Sequence, residues 1–147
     1  MSDPGAQTAG VGFSLSVSDA RDSFNNLASG TVTVSFQDGG THLAPDSTPP
    51  TLNAITVTGG SGSATQTLVL AESGVILRGT SGSVTDDTAP FTVSASSIAS
   101  FTLSDPGAQT AGVGFSLSVS NAQDSFQNSA SGTVTVSFQD GGTHLAP

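Results

Sequence analysis

The sequence predicts an all-β chain, a Greek-key β-sandwich repeated in tandem about every 102 residues. Three observations carry this expectation. Ser2–Pro45 recurs as Ser104–Pro147 with four differences in 44 positions: Asp19/Asn121, Arg21/Gln123, Asn25/Gln127 and Leu27/Ser129. A repeat sets the length of the folding unit, and this one has the size of a single sandwich domain. Apolar residues alternate with Gly, Ser and Thr at a period of two, as in half-buried strands. Turn sequences such as Asp3-Pro4-Gly5, Asp38-Gly39-Gly40, Pro49-Pro50 and Gly59-Gly60-Ser61-Gly62 separate the alternating runs.

Taken in order, Val11–Ser18 places Val11, Phe13, Leu15 and Val17 on one face. Thr31–Phe36 does the same with Val32, Val34 and Phe36. Leu52–Thr58 carries Ile55 and Val57, and Gln66–Ala71 carries Leu68 and Leu70. A weaker strand runs from Val75 through Arg78 to Val84, with Gly79 and Gly82 as expected bulge or bend sites. Pro90–Ala95 turns Phe91, Val93 and Ala95 inward, and Ala99–Leu103 does so with Ala99, Phe101 and Leu103. No window has helical spacing, and Gly, Ser, Thr and Val all disfavour helix. Short strands at this spacing suit a Greek-key sandwich rather than a solenoid, whose repeats are far shorter.

Ser96-Ser97 reads as a link between domains. Residues 2–97 then form one repeat lacking most of its first strand, and residues 98–147 form the opening half of the next. In that second unit Ile98–Leu103, Val113–Ser120 and Thr133–Phe138 are the expected strands. Alternatively, residues 46–147 form a circularly permuted domain with 2–45 left over. Either way the chain holds two opening halves and one closing half, so one half exposes strand edges that invite association with another chain. Dimeric or fibrous strand exchange is the expected consequence. Met1 directly precedes repeat sequence and reads as an added start residue.

Composition narrows the function classes. There is no lysine, only Arg21 and Arg78 as cations, and eleven carboxylates, for a net charge of −9. Phosphate neutralisation needs clustered Lys and Arg, so nucleic acid is disfavoured as a partner, as are anionic membrane surfaces. No apolar run approaches the ~18 residues of a membrane span, and the N-terminus lacks the basic and apolar regions of a signal peptide. Cysteine is absent, which removes disulfides and thiolate metal sites. The apolar fraction of 35% leaves a thin core, with eight Phe and neither Trp nor Tyr. A sparsely charged surface rich in Ser and Thr suits an extracellular or cell-surface protein.

The run Ile98-Ala-Ser-Phe-Thr-Leu, then Gln109-Thr-Ala-Gly-Val-Gly-Phe-Ser-Leu-Ser-Val, then Ala122-Gln-Asp-Ser-Phe-Gln-Asn and Gly132-Thr-Val-Thr-Val resembles bacterial immunoglobulin-like repeats. Phe91-Thr92-Val93 matches the element that closes such repeats. The resemblance spans the whole unit and rests on order and spacing. It implies an immunoglobulin-like sandwich from a large surface or adhesin-type protein. Two departures stand out. Asp19 and Asn121 look like an inserted residue before the Ala-x-Asp element, which suggests a bulge. The usual Gly-Asn is Asn25-Asn26 in one copy and Gln127-Asn128 in the other, so that turn is open to differ between them.

Few residues suggest chemistry. Asp19, Asp22, Asp86 and Asp87 are the carboxylates available to a Ca²⁺ ion, which needs several converging oxygens. The competing reading of Asp22 with Asn26, and of Asp124 with Asn128, is an Asx turn that caps backbone N–H groups. Asp86-Asp87 lacks the spacing of a calcium loop, so no metal and no cofactor are assigned, with Ca²⁺ as the alternative. His42 and His144 occupy one repeated position, each alone on a Gly-rich turn, and are expected as surface histidines. No G-x-S-x-G elbow is present, and nothing converges Glu72 with an Asp as a glycosidase pair. No catalytic residue is assigned. The absence of lysine also removes the intramolecular Lys–Asn bond that locks some surface sandwiches.

All four differences between the copies fall between residues 19 and 27, where a loop tolerates change. Natural variation between neighbouring repeats explains them, with deliberate alteration of one copy as the alternative. The expected function is a structural stalk or spacer without catalysis, whose partners are neighbouring repeats and further copies of itself. A self-assembling fibre and an adhesive binding module are the alternatives. Missing Trp and Tyr count against sugar stacking in the last of these.

Overall fold

A computed structural model describes residues 1–139 of the chain, so His144 lies outside the described residues. Among these there are eleven strands and no helix. In chain order they are β1 (Gln7–Thr8), β2 (Gly12–Val17), β3 (Gly30–Phe36), β4 (Ile55–Val57), β5 (Gly62–Thr67), β6 (Glu72–Val75), β7 (Leu77–Ser81), β8 (Val84–Asp87), β9 (Phe91–Ser94), β10 (Ser100–Leu103) and β11 (Val119–Gln123). The chain is therefore all-β, and its sheets stack in a sandwich-like arrangement. One sheet has the order β4-β3-β7-β8. The β2-β5 pair and the β1-β9-β6 sheet complete the sandwich, with β1 parallel to β9.

Alternation decides what enters the core. Phe13 and Leu15 of β2, Val34 and Phe36 of β3, and Ile55 and Val57 of β4 are buried, with Ser or Thr between them facing out. Leu68, Val75, Leu77, Phe91 and Val93 join them from the closing segment, and Phe13 meets Phe91 edge to face at 6.1 Å. Removing each such side chain from water stabilises the fold by roughly 1.5–3 kcal/mol. The segment 46–97 thus pairs with the first copy: Gly12–Val17 against Gly62–Thr67, and Thr33–Phe36 against Leu77–Thr80.

Several strands depart from expectation. The strand expected at Gln66–Ala71 lies earlier, at Gly62–Thr67. Gly59 and Gly60 both take positive φ, and Thr58 and Ser61 bridge across them, so pairing starts at Gly62. This strand is polar because its inward positions are Ala64 and Gln66. Gln66 is fully buried yet satisfied, accepting from Asn53 N at 2.7 Å and donating to Asn53 O at 3.0 Å. The single weak strand expected from Val75 to Val84 is in fact part of three strands, β6, β7 and β8. Gly82, at φ +59, makes the β7–β8 turn, whereas Gly79 stays within the ladder opposite Val34 and Asp86.

The second copy departs furthest. The strand expected at Val113–Ser120 survives only in Val119 and Ser120, which open β11, and Thr133–Phe138 forms no strand, although Gly12–Ser16 and Thr31–Phe36, identical to Gly114–Ser118 and Thr133–Phe138, are strand in the first copy. Phe115 is 54% exposed where Phe13 is 9%. The strands that pair with the matching segments of the first copy, β5 and β7, are already engaged there, as is Phe91 by Phe13. Among its described residues the strands that pair are β10 and β11, with a register shift at the extra residue Asn121, whose φ is +51. Phe101 and Leu103 remain exposed, so the face expected to turn inward does not.

Candidate functional site

The loop Asp124–Asn128 of the second copy meets the sandwich. Asp124 and Asn128 are 2% and 3% exposed, and Phe126 packs against the core cluster. The loop is first an Asx turn. Asp124 Oδ1 accepts from the Phe126 and Asn128 amides at 2.9 and 3.0 Å, and Asn128 Nδ2 donates to Asp124 Oδ2 at 3.0 Å. Its outward atoms then satisfy backbone groups of the segment 69–96. Ser96 N donates to Asp124 Oδ2 at 3.0 Å, and Ala71 N donates to Asn128 Oδ1 at 2.9 Å. Asn128 Nδ2 also donates to Val69 O at 2.8 Å. Gly10 gives Phe126 its space: a Cβ there would lie 2.5 Å from the ring. These buried polar groups are fully paired, as buried polar groups must be to avoid a desolvation penalty.

Burial pushes the Asp124 carboxyl up, but the donors from Asn128, Ser96 and Phe126 outweigh it and hold the group below its ordinary value.

In the first copy the corresponding loop, Asp22–Asn26, builds the same turn. Asp22 Oδ1 accepts from the Phe24 and Asn26 amides at 2.9 and 2.8 Å, and Asn26 Nδ2 donates to Asp22 Oδ2 at 3.1 Å. Asn25 and Gln127 share the left-handed conformation, at φ +66 and +63, so the turn does not differ between copies. Yet Phe24 is 84% exposed.

A second feature lies along the edge that continues β2. A groove of about 330 Å³ is lined by Met1, Val17–Arg21, Gly30, Val32, Val57 and Val84, among others. In the second copy the matching edge, Val119–Gln123, is covered by β10, and Ile98 lies against Gly132, the counterpart of Gly30. The register is shared: Ser2 N donates to Ser16 O at 2.9 Å, as Ser104 N does to Ser118 O. Met1 therefore stands where Leu103 stands, and the groove continues along the path of β10.

The calcium candidates are scattered. Asp19 pairs with Arg21, Asp22 caps its own turn, Asp86 meets the amino terminus, and Asp87 holds Arg78 through two bonds of 2.7 Å. Asp19 and Asp86 both line the groove, while Asp22 and Asp87 do not. Among the described residues no group of three or more His, Asp or Glu side chains is arranged to hold a metal ion.

His42 is not the lone surface residue expected. It stacks on Phe36 at 3.8 Å and lies 2.6 Å from Glu72 Oε1 and 3.0 Å from Asp38 Oδ1. Burial opposes its charge, but the hydrogen bonds to Asp38 and Glu72 outweigh burial and raise its pKa. Glu72 is thirty residues away in sequence, so nothing local announced the pairing.

Comparison with protein-family models, curated proteins and solved structures finds no match.

Proposed function

We propose that the chain is a slice of a tandem array of immunoglobulin-like Greek-key domains. On this reading it serves as a structural stalk or spacer of a secreted or cell-surface bacterial protein, without catalysis or cofactor. The observation that carries the reading is the seating of Asp124–Asn128 on the preceding domain. A spacer needs each repeat to be held against the last, and the bonds to Val69, Ala71 and Ser96 do that without charge pairs that salt would screen. The low content of Lys and Arg and the Ser/Thr-rich faces support an inert surface.

The test is small-angle scattering on chains carrying one, two and three further 102-residue units. A spacer lengthens by a constant step per unit. Maximum dimensions that vary with salt, or that fail to grow, would refute it.

Strand exchange between chains is the second reading, favoured by the groove beside Met1 and Val17. An Ile-Ala-Ser-Phe-Thr-Leu segment from another copy has the register to continue that edge. Concentration-dependent filaments in micrographs, abolished by I98D/F101D, would favour it over the spacer.

A further inference from the structure

We propose that the exposed loop Asp22–Asn26 is a second docking loop, made to seat on another copy of this domain. The seat is the socket formed by Gly10, Leu68–Ala71 and Ser96. The proposal rests on the tandem-array reading and extends it by naming the partner surface and the atoms that recognise it.

The internal duplication supplies the comparison. In the second copy three side chains make the contact: Asp124 to Ser96, Phe126 over Gly10, and Asn128 to Val69 and Ala71. Their counterparts in the first copy are identical residues, Asp22, Phe24 and Asn26. The four differences fall at other positions, and in the docked loop Asn121, Gln127 and Ser129 are exposed. Variation is thus confined to residues that do not carry the contact.

The remaining difference keeps its local task. Arg21 Nη1 donates to Asn25 O at 2.8 Å, and Gln123 Nε2 donates to Gln127 O at 3.3 Å. Both loops also close with the same backbone bonds, Ala28 N to Ala20 O and Ala130 N to Ala122 O, each 2.9 Å.

The first loop is therefore already shaped for docking. An Asx turn pays its ordering entropy inside the loop, so association fixes few further dihedrals. It holds out a phenylalanine whose full burial is worth roughly 1.5–3 kcal/mol, flanked by a carboxylate and an amide aimed as in the docked copy. An isolated exposed phenylalanine needs no explanation. One held in the geometry of a loop that is seated elsewhere in the same chain has its partner shown.

The socket of this chain is filled by its own Asp124–Asn128, which a tether keeps at high effective concentration. Docking of Asp22–Asn26 onto a second copy therefore requires that socket to be open.

Amide hydrogen exchange reads the socket at two single positions, because Ala71 N and Ser96 N have their bonds to the docking loop. Wild-type protection at both amides establishes the serial contact itself, and its absence would defeat the tandem reading rather than this one. The inference is tested next by N121D/Q123R/Q127N/S129L, which gives the second copy the first copy's loop. Protection at Ala71 and Ser96 is expected within about threefold of wild type. Loss of protection there, with Leu77 and Val93 still slow, would overturn the proposal.

A trans test uses F126A, which empties the socket of its ring. Protection at Ala71 is expected to return as protein concentration rises from about 10 μM to about 1 mM, and not to return in F24A/F126A. Protection that is independent of concentration, or that returns equally without Phe24, would overturn it.

Discussion

Between Gly12 and Phe36 the first copy is two strands joined by a loop; between Gly114 and Phe138 the second copy keeps the loop, has strand only at Val119–Gln123, and loses the strands at Gly114–Ser118 and Gly132–Phe138. The sequences differ only within the loop region. Asp22–Asn26 and Asp124–Asn128 nevertheless have the same φ signature and the same hydrogen bonds. The turn that carries the Asn25/Gln127 difference is therefore structurally invariant, and identical stretches on either side are not. The reason is where the stabilising partners lie. An Asx turn closes within five residues, so its hydrogen bonds travel with the sequence. A strand's hydrogen bonds and its buried face both come from other segments, and strand propensity is largely a measure of that context.

The largest test of this contrast is truncation of one phenylalanine in each copy. F13A removes a buried ring that meets Phe91, and about 3–5 kcal/mol of stability is expected to go with it. F115A removes an exposed ring from an unpaired stretch, so its effect should stay within about 0.5 kcal/mol. Urea unfolding of the two variants gives the comparison directly. Equal losses would mean that the second copy has a core of its own in solution.

Asparagine separates turn from docking. N128A strips the side-chain partners from Val69 O and Ala71 N, and leaving buried backbone groups unpaired costs roughly 1–3 kcal/mol. N26A removes only a bond within an exposed turn. The expected signature is faster exchange at Ala71 in N128A and none in N26A. If both variants leave Ala71 protected, Asn128 does not bind Val69 and Ala71.

How far these features were legible in sequence follows the same division. The alternation in Gly12–Val17 and Gly30–Phe36 pointed to strands, but could not say that only one copy would find partners. The Asx turn was legible at Asp22 because its donors and acceptors are local. The docking of the identical turn was not, since Ala71 and Asn128 are 57 residues apart. β5 was misplaced because its inward residues include Gln66, whose burial depends on Asn53. His42 was read as solitary because Phe36 and Glu72 reach it only through the fold. One signal for the docking surface was present: the four differences between copies avoid Asp22, Phe24 and Asn26.

Gly10 and Gly112 isolate the aromatic contact. Both sit at φ +78, so alanine at either meets the same backbone penalty of about 1–2 kcal/mol. Around Gly112 there is open space, whereas a Cβ on Gly10 runs into Phe126. G10A should therefore release Ser96 and Ala71 to exchange, while G112A leaves them protected. The excess loss in G10A over G112A is expected near 1 kcal/mol, the scale of overpacking against a ring that can move. No difference between the two would place Phe126 away from Gly10 in solution.

Acid gives the smallest effect and the finest distinction. Asp22 and Asp124 are both held below the ordinary carboxylate value, Asp22 by the Asn26 bonds and Asp124 by donors that outweigh its burial. A depressed folded-state pKa contributes stability that is present above the unfolded value, about 3.9, and is lost as pH falls through the folded value. For Asp22 that loss is confined to its own exposed turn. For Asp124 it includes the bond from Ser96 N, so protonation also loosens the joint between the copies. The Ser96 amide shift should therefore move with an acid midpoint below 3.9 in wild type and in D22N. In D124N the step should vanish, with Ser96 already exchanging faster at neutral pH. An unchanged midpoint in D124N would assign the titration to another carboxylate and detach Asp124 from the joint.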